Sequence, residues 1–406
     1  MSAEPESVVA RMPVRQMAAP AFVRRPATWY GYFLIATQIY LFNVQGNVIP
    51  FLQEEFALSY RIVSLHSSAV ALGVIITALF GRHITRPLGR RRSLWLGGGS
   101  IAAGAFLLCL SPGAWASIPS CLLIGLGGGV IPSVVPAILS DLHGEARRHA
   151  FAEQAIIAYS FAIVGPLVTG FSVAHGFGWR PAVILGGAIG VTLIVLFRSI
   201  TIPEAHAAAA VTRRPLLPAF WAYCALLGFS CSFEFSVLLW SPSFLERVVG
   251  LTPAEAATYA AGFFVGVLAG RVALRALLHR FAPQAILLAA FATGVMGFLL
   301  YWGIATPWAA IPGIVMLGLC VAPQYPLTMA LALGAADGNN DAAAQRLTLA
   351  FGLAVLLAPA VLGALADVVG LRIAHLTLPL LIAAALATFL TGQALSRRPA
   401  PSRSPA

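Results

Sequence analysis

The sequence has no lysine and few charges of any kind: Asp and Glu together number 14, and charged residues make up 10% of its 406 positions. A chain so poor in charge cannot solvate a large surface, which excludes an ordinary soluble globular protein. Cysteine is scarce too. Cys109, Cys121, Cys224, Cys231 and Cys320 show no CxxC spacing and stand beside no His pair. They read as small apolar residues, so neither a disulfide framework nor a metal site is expected. No HExxH, GxSxG, Walker loop or dinucleotide fingerprint stands in a strand-turn-helix setting, so no cofactor and no enzyme activity are expected.

What the sequence has instead is apolar content, 59% of residues, with a mean hydropathy of +0.87. A bilayer-spanning helix needs roughly 20 apolar residues, and about 370 remain once the hydrophilic tails 1–26 and 397–406 are set aside, enough for about twelve spans with short loops. No room is left for a separate soluble domain. The first apolar run, 27–51, is long enough to span, and no cleavage site follows a short apolar core, so it reads as an uncleaved first helix. Further spans fall near 62–81, 94–110, 117–140, 153–174 and 181–198, then 217–242, 253–274, 284–302, 308–332, 347–368 and 374–395.

The net charge of +11 would suggest nucleic acid in a soluble protein. Here the 25 arginines sit in short loops and report orientation, so no nucleic-acid partner is expected. With both termini on one side, 21 of the 25 fall on that side, and only Arg61, Arg180, Arg247 and Arg372 fall opposite. The positive-inside bias then makes both termini cytoplasmic, together with the linker 199–216, in a multi-pass protein of the cytoplasmic (inner) membrane.

That linker separates a six-helix bundle at 27–198 from a second at 217–396, and the two echo each other. Gly81-Arg82 with Arg86 recurs 189 positions later as Gly270-Arg271 with Arg275. Gly178-Trp179-Arg180 recurs 192 positions later as Gly370-Leu371-Arg372. The expected fold is an all-α membrane protein of twelve transmembrane helices in two pseudo-symmetric six-helix bundles, an architecture for alternating access around a midplane site.

Between the second and third spans stands Gly81-Arg82-His83-Ile84-Thr85-Arg86-Pro87-Leu88-Gly89-Arg90-Arg91-Arg92. It resembles the cytoplasmic G-x-x-x-D-R-x-G-R-R/K loop of the major facilitator superfamily, and the chain is similar to that family over nearly its full length. The resemblance implies a cytoplasmic gate formed by Gly81, Arg82, Arg86, Gly89 and Arg90, with Arg271 and Arg275 as its counterpart in the second half. The family's aspartate, which helps latch the halves, is missing, with Thr85 nearest its place. Arg82, Arg86 and Arg90 have Asp141 and Glu145 as alternative partners; the bland reading is that these arginines only set topology. In the fifth span Gly165, Pro166 and Gly170 resemble part of the GPxxGG motif of the family's proton antiporters, with close helix packing the competing use. The segments around Glu234 to Leu245 and Gly318 to Pro326 resemble the fucose-permease-like branch, although its first-helix acid has no counterpart here.

Ionisable side chains in the bilayer core mark ion or substrate pathways by default. Glu234, inside the seventh span, is the outstanding case, and desolvation there suits it to take up and release a proton; the competing reading is a protonated, structurally bonded Glu. In the first span Tyr40, Asn43 and Asn47 share one helical face and can hydrogen-bond a polar solute or glue helices together. Pro323 and Pro326 disturb the tenth span around Gln324 and Tyr325, which become candidate cavity residues. Glu153 is expected to pair with Arg147 or Arg148, and His66 reads as an interfacial residue. The expected activity is proton-coupled symport of a small polar solute by a monomer whose partners are the solute, protons and the lipid bilayer. The rivals are a proton antiporter exporting drugs or metabolites, and a non-transporting sensor on a carrier scaffold.

Overall fold

The computed structural model describes residues 23–202, 216–304, 306–336 and 340–397, and within these the side chains of 82, 84, 86, 145, 148, 340–342, 344 and 345 are also outside the description. Twelve helices cross the molecule. The first six are α1 (Pro26–Glu55), α2 (Tyr60–Gly81), α3 (Pro87–Leu110), α4 (Ala114–His143), α5 (His149–Ala174) and α6 (Arg180–Leu196). The second six are α7 (Pro218–Arg247), α8 (Pro253–Leu278), α9 (Pro283–Gly303), α10 (Pro307–Gly334), α11 (Arg346–Val369) and α12 (Leu371–Ser396). No strand occurs among the described residues. The linker centre and both tails lie outside them.

The helix limits follow from local chemistry. Proline stands in the first turn of α1, α7, α8, α9 and α10, where its missing N–H has no partner to lose. Thr252 caps α8, accepting from the Glu255 amide while Glu255 accepts from the Thr252 amide at 3.0 Å. Gly89, at φ 71°, takes a left-handed conformation that breaks the continuous helix between α2 and α3.

Ten of the helices are long and apolar enough to cross a membrane by composition; α1 and α6 are not among them, α6 being only 17 residues long. α1 carries polar residues because it is shielded from lipid: 22 of its 30 residues are buried. Its amides and hydroxyls meet protein instead of hydrocarbon.

Glycine sets the closest helix crossings, and it does so twice, once per bundle. A Cβ at Gly125 of α4 would stand 2.1 Å from the Val70 carbonyl oxygen of α2, and one at Gly318 of α10 would stand 2.0 Å from the Phe263 carbonyl oxygen of α8. Gly97 meets Gly127 between α3 and α4 as Gly297 meets Gly313 between α9 and α10. Such backbone approach is how membrane helices associate where lipid supplies no hydrophobic drive. The two repeat-related arginines each lie over an indole, Arg180 over its neighbour Trp179 and Arg372 over Trp302 at the end of α9. Two six-helix bundles related in this way are the fold expected from the sequence.

Two polar residues sit differently from expectation. His66 is fully buried, with its Nε2 2.7 Å from Ser117 Oγ and its Nδ1 2.9 Å from the Val63 carbonyl, so it ties α2 to α4 and is not an interfacial residue. Glu153 is held by Arg24, whose Nε and Nη2 donate at 2.9 and 2.5 Å, and not by Arg147. The chain entering α1 folds back onto α5, which brings a distant arginine nearer than the sequence neighbours.

Overpacking a close crossing typically costs about 1–3 kcal/mol. Gly125→Val is expected to lower the melting temperature of the detergent-purified protein by several degrees. Gly228→Ala, at a glycine with no atom within 4 Å of its added carbon, is expected to leave it unchanged.

Candidate functional site

The two bundles meet through α2 with α11, α5 with α8 and α1 with α7. Their hydrogen bonds gather at the end away from the 82–92 arginines. Asp367 of α11 accepts the backbone N–H groups of Tyr60 and Arg61, each at 2.8 Å, at the start of α2. A carboxylate there faces the positive end of the helix dipole as well as two donors. Arg247 of α7 donates to the Tyr60 hydroxyl at 2.7 Å, and the Tyr60 ring lies 5.6 Å from that of Trp240. A Cβ on Gly46 of α1 would stand 2.6 Å from the Leu238 carbonyl oxygen of α7, and one on Gly170 of α5 would stand 1.9 Å from Thr258 Oγ1 of α8.

At the arginine-rich end the contacts turn inward to the first bundle. Arg90 donates to Asp141 at 2.6 Å, and Arg91 bonds the Arg198 carbonyl. The side chains of Arg82, Arg86 and Glu145 lie outside the described residues. Gly81 and Gly89 frame the turn, and Arg275 is exposed near the end of α8. Among the described residues the hydrogen bonds between the bundles thus lie toward the Asp367 end.

Glu234 stands in mid-span on α7. It is about 20 Å or more from either end of α7 along the axis, half-buried among buried neighbours Cys231, Phe233 and Ser236. Every other carboxylate of a described side chain lies at a helix end. Tyr325, on the second segment of α10, is 38% exposed, and its ring stands 6.4 Å from Phe351, edge-on at 81°. Phe351 meets Phe235 in the same manner at 5.6 Å. The tenth helix is interrupted as the prolines imply, into Pro307–Val321 and Gln324–Gly334.

The remaining candidates divide. Asn43 and Asn47 are buried on α1, Asn47 giving its amide to the Asn43 carbonyl at 3.2 Å while its Oδ1 has no partner among the described residues. By helical spacing they lie between the α7-facing strip marked by Gly46 and the strip of Tyr40. The Tyr40 hydroxyl donates to the Ala182 carbonyl at 2.8 Å with no exposed surface, so it joins α1 to α6. Gln324 is also bonded within the protein. Its amide turns back to the Cys320 carbonyl at 3.0 Å, and it is 2% exposed. Gly165 and Gly170 make close approaches to α1 and α8, with Pro166 between them in α5.

Arg271 has a different place from that expected of a gate residue. α8 continues to Leu278, seven residues and about 10 Å further along the axis. The guanidinium lies 4.4 Å from the centre of the Tyr159 ring of α5, across the two bundles, and its Nε is buried without a hydrogen-bond partner among the described residues. It is in electrostatic range of Glu234, Tyr159 and Tyr325. A cation–π contact of this kind is worth about 0.5–2 kcal/mol and leaves the guanidinium's own N–H donors to be satisfied. The Gly-Arg repeat signalled the residue; only the length of α8 reveals its depth. A shallow hollow lined by Leu107, Ser111, Pro119 and Leu123 holds no titratable group.

Twelve helices in two repeated bundles, with a carboxylate and an arginine within the spans, are the architecture of a multi-pass membrane transporter. The family model of the Major Facilitator Superfamily matches residues 28–345, and the chain belongs to that superfamily. The chain is 30% identical over 143 residues to Sugar transport protein 12 of Arabidopsis thaliana, covering 35% of this chain and 28% of that protein. It is 27% identical over 176 residues to the Galactose-proton symporter of Escherichia coli (strain K12), covering 42% of this chain and 38% of that protein. These matches thus span well under half the length of the sugar carriers. The Cyanate transport protein CynX of Escherichia coli (strain K12) is 22% identical over 71% of this chain and 76% of its own. The fold is that of the crystallised D-xylose-proton symporter, with a TM-score of 0.71 at 14% identity over 92% of this chain and 97% of that one.

The Asp367 bonds lie at the surface, so about 1 kcal/mol is a fair share of the 1.5–3 kcal/mol typical of charge-assisted hydrogen bonds. Asp367→Ala is expected to raise roughly fivefold the labelling rate of a cysteine placed at Asn47, probed from the Asp367 side with an impermeant maleimide. An unchanged rate would remove Asp367 from the closure.

Proposed function

We propose that the protein is a secondary carrier that moves a small polar organic solute across the cytoplasmic membrane by proton-coupled alternating access, with the arginine-rich end cytoplasmic. The observation that carries this reading is Glu234, a carboxylate in mid-span on α7. A carboxylate there can hold a proton while the site faces one side and release it when water enters from the other. Tyr325, Asn43 and Asn47 shape the solute site. Tyr40 and Gln324 support it by fixing α1 and the broken α10. Rocking of 27–198 against 217–396 exchanges the seal at Asp367 for one at the 82–92 turn. Names among the relatives and structural neighbours, a galactose-proton and a D-xylose-proton symporter, support proton coupling, and all the named relatives support a carrier over an enzyme.

The test uses the full chain in liposomes with an imposed proton gradient and a panel of labelled sugars and organic acids. The wild type is expected to accumulate at least one of them. Glu234→Gln is expected to reduce gradient-driven accumulation of that solute at least tenfold, while counterflow exchange stays within about twofold. Equal accumulation in the variant would remove Glu234 from coupling, and no flux of any solute in the wild type would favour the sensor.

A further inference from the structure

Arg271 holds more recognition capacity than the protein uses. A guanidinium presents five N–H donors in a planar fork, and stacking on an aromatic face fixes its plane while leaving its edges to bond. The Tyr159 ring supplies such a face, yet Nε has no partner and is shielded from solvent. The ion pairs of the described residues are Arg24–Glu153, Arg90–Asp141 and Arg180–Glu55, none of which involves Arg271. Glu234 is near enough to feel its charge, but the two form no ion pair. The titratable described groups in electrostatic range of Glu234 are Arg271 of α8, Tyr159 of α5, Tyr325 of α10 and Cys231 of its own helix.

Tyr325, within electrostatic range of this cation, begins a run of rings set edge to face, Tyr325 on Phe351 and Phe351 on Phe235. A fixed planar donor fork next to an aromatic wall is complementary to a molecule with one anionic end and an apolar or aromatic body. A neutral polyol would leave the guanidinium with only the field of Glu234, with which it forms no ion pair among the described residues.

We propose that the solute is a small organic monocarboxylate, its carboxylate held by Arg271 and its body lying against Tyr325, Phe351 and Phe235. This rests on the carrier reading and narrows it. A carboxylate on Arg271 repels an ionised Glu234, so the solute and a proton on Glu234 favour each other's binding by the same factor. One anion and one proton then cross together, and the loaded carrier moves without net transfer of charge.

The experiment is titration calorimetry of the purified full chain with benzoate, phenylacetate and lactate, and with the matching neutral amides, at pH 5.5 and 7.5. At least one carboxylate is expected to bind tenfold or more tightly than its amide, and more tightly at pH 5.5. Arg271→Gln is expected to weaken that carboxylate at least tenfold. Glu234→Gln is expected to keep the binding and lose its pH dependence. If Arg271→Gln does not fold, Tyr159→Leu, which removes the stacking face, is expected to weaken the carboxylate several-fold. The proposal is overturned if acid and amide bind alike, if neither Arg271→Gln nor Tyr159→Leu weakens binding, or if none of the three carboxylates binds. Proton-driven accumulation of a neutral sugar without carboxylate binding would retain the carrier and discard the anion. Carboxylate binding without proton-driven flux in liposomes would do the reverse.

Discussion

The bilayer forbids an unsatisfied backbone, and the rest of the structure follows from that constraint. Each N–H and C=O in hydrocarbon must be bonded within its own segment, so the chain can cross only as helices. Helices surrounded by lipid gain little from burying more apolar surface, and stable association then depends on how closely their backbones approach. This is why glycine, and not a large apolar residue, stands at the α2–α4 and α8–α10 crossings. It also explains why the least apolar long helix, α1, lies inside: shielded by protein, its amides and hydroxyls need not meet lipid.

Charge obeys the same constraint. Arginines and carboxylates stand at helix ends, where water or a neighbouring loop satisfies them, with two exceptions among the described side chains, Glu234 and Arg271. Each would be expensive in an apolar core. They lie on neighbouring helices of the second bundle, α7 and α8, within electrostatic range of each other. The bundles themselves are built from apolar and small residues, and mid-span charge among the described side chains is confined to that pair.

The helices, the repeat and Glu234 were legible in the sequence because each depends on composition or position along the chain. Apolar length marks a span, and a carboxylate in mid-span is visible without knowing its neighbours. The spacing of Tyr40, Asn43 and Asn47 showed that they share a face, but not that Tyr40 would meet the Ala182 carbonyl on α6. Gln324 looked available because the prolines beside it break the helix, yet its amide finds the carbonyl one turn back. Glu153 was paired with its sequence neighbours although Arg24, 129 positions away, folds onto it. In each case the missing information was the partner across space, which spacing along one helix does not contain.

The Asp367 closure recognises the main chain. Its carboxylate grips two amides at the start of α2 and engages no cationic side chain, the cation that bridges the bundles at this end being Arg247 on the Tyr60 hydroxyl. On opening, both amides and both carboxylate oxygens pass to water, and the barrier is one of rehydration. Mobile ions screen separating charges far more than they alter the hydration of an amide. The main-chain part of the seal is therefore nearly indifferent to salt, and it asks of residue 61 only that it not be proline, while Tyr60 is held as well by Arg247 and Trp240.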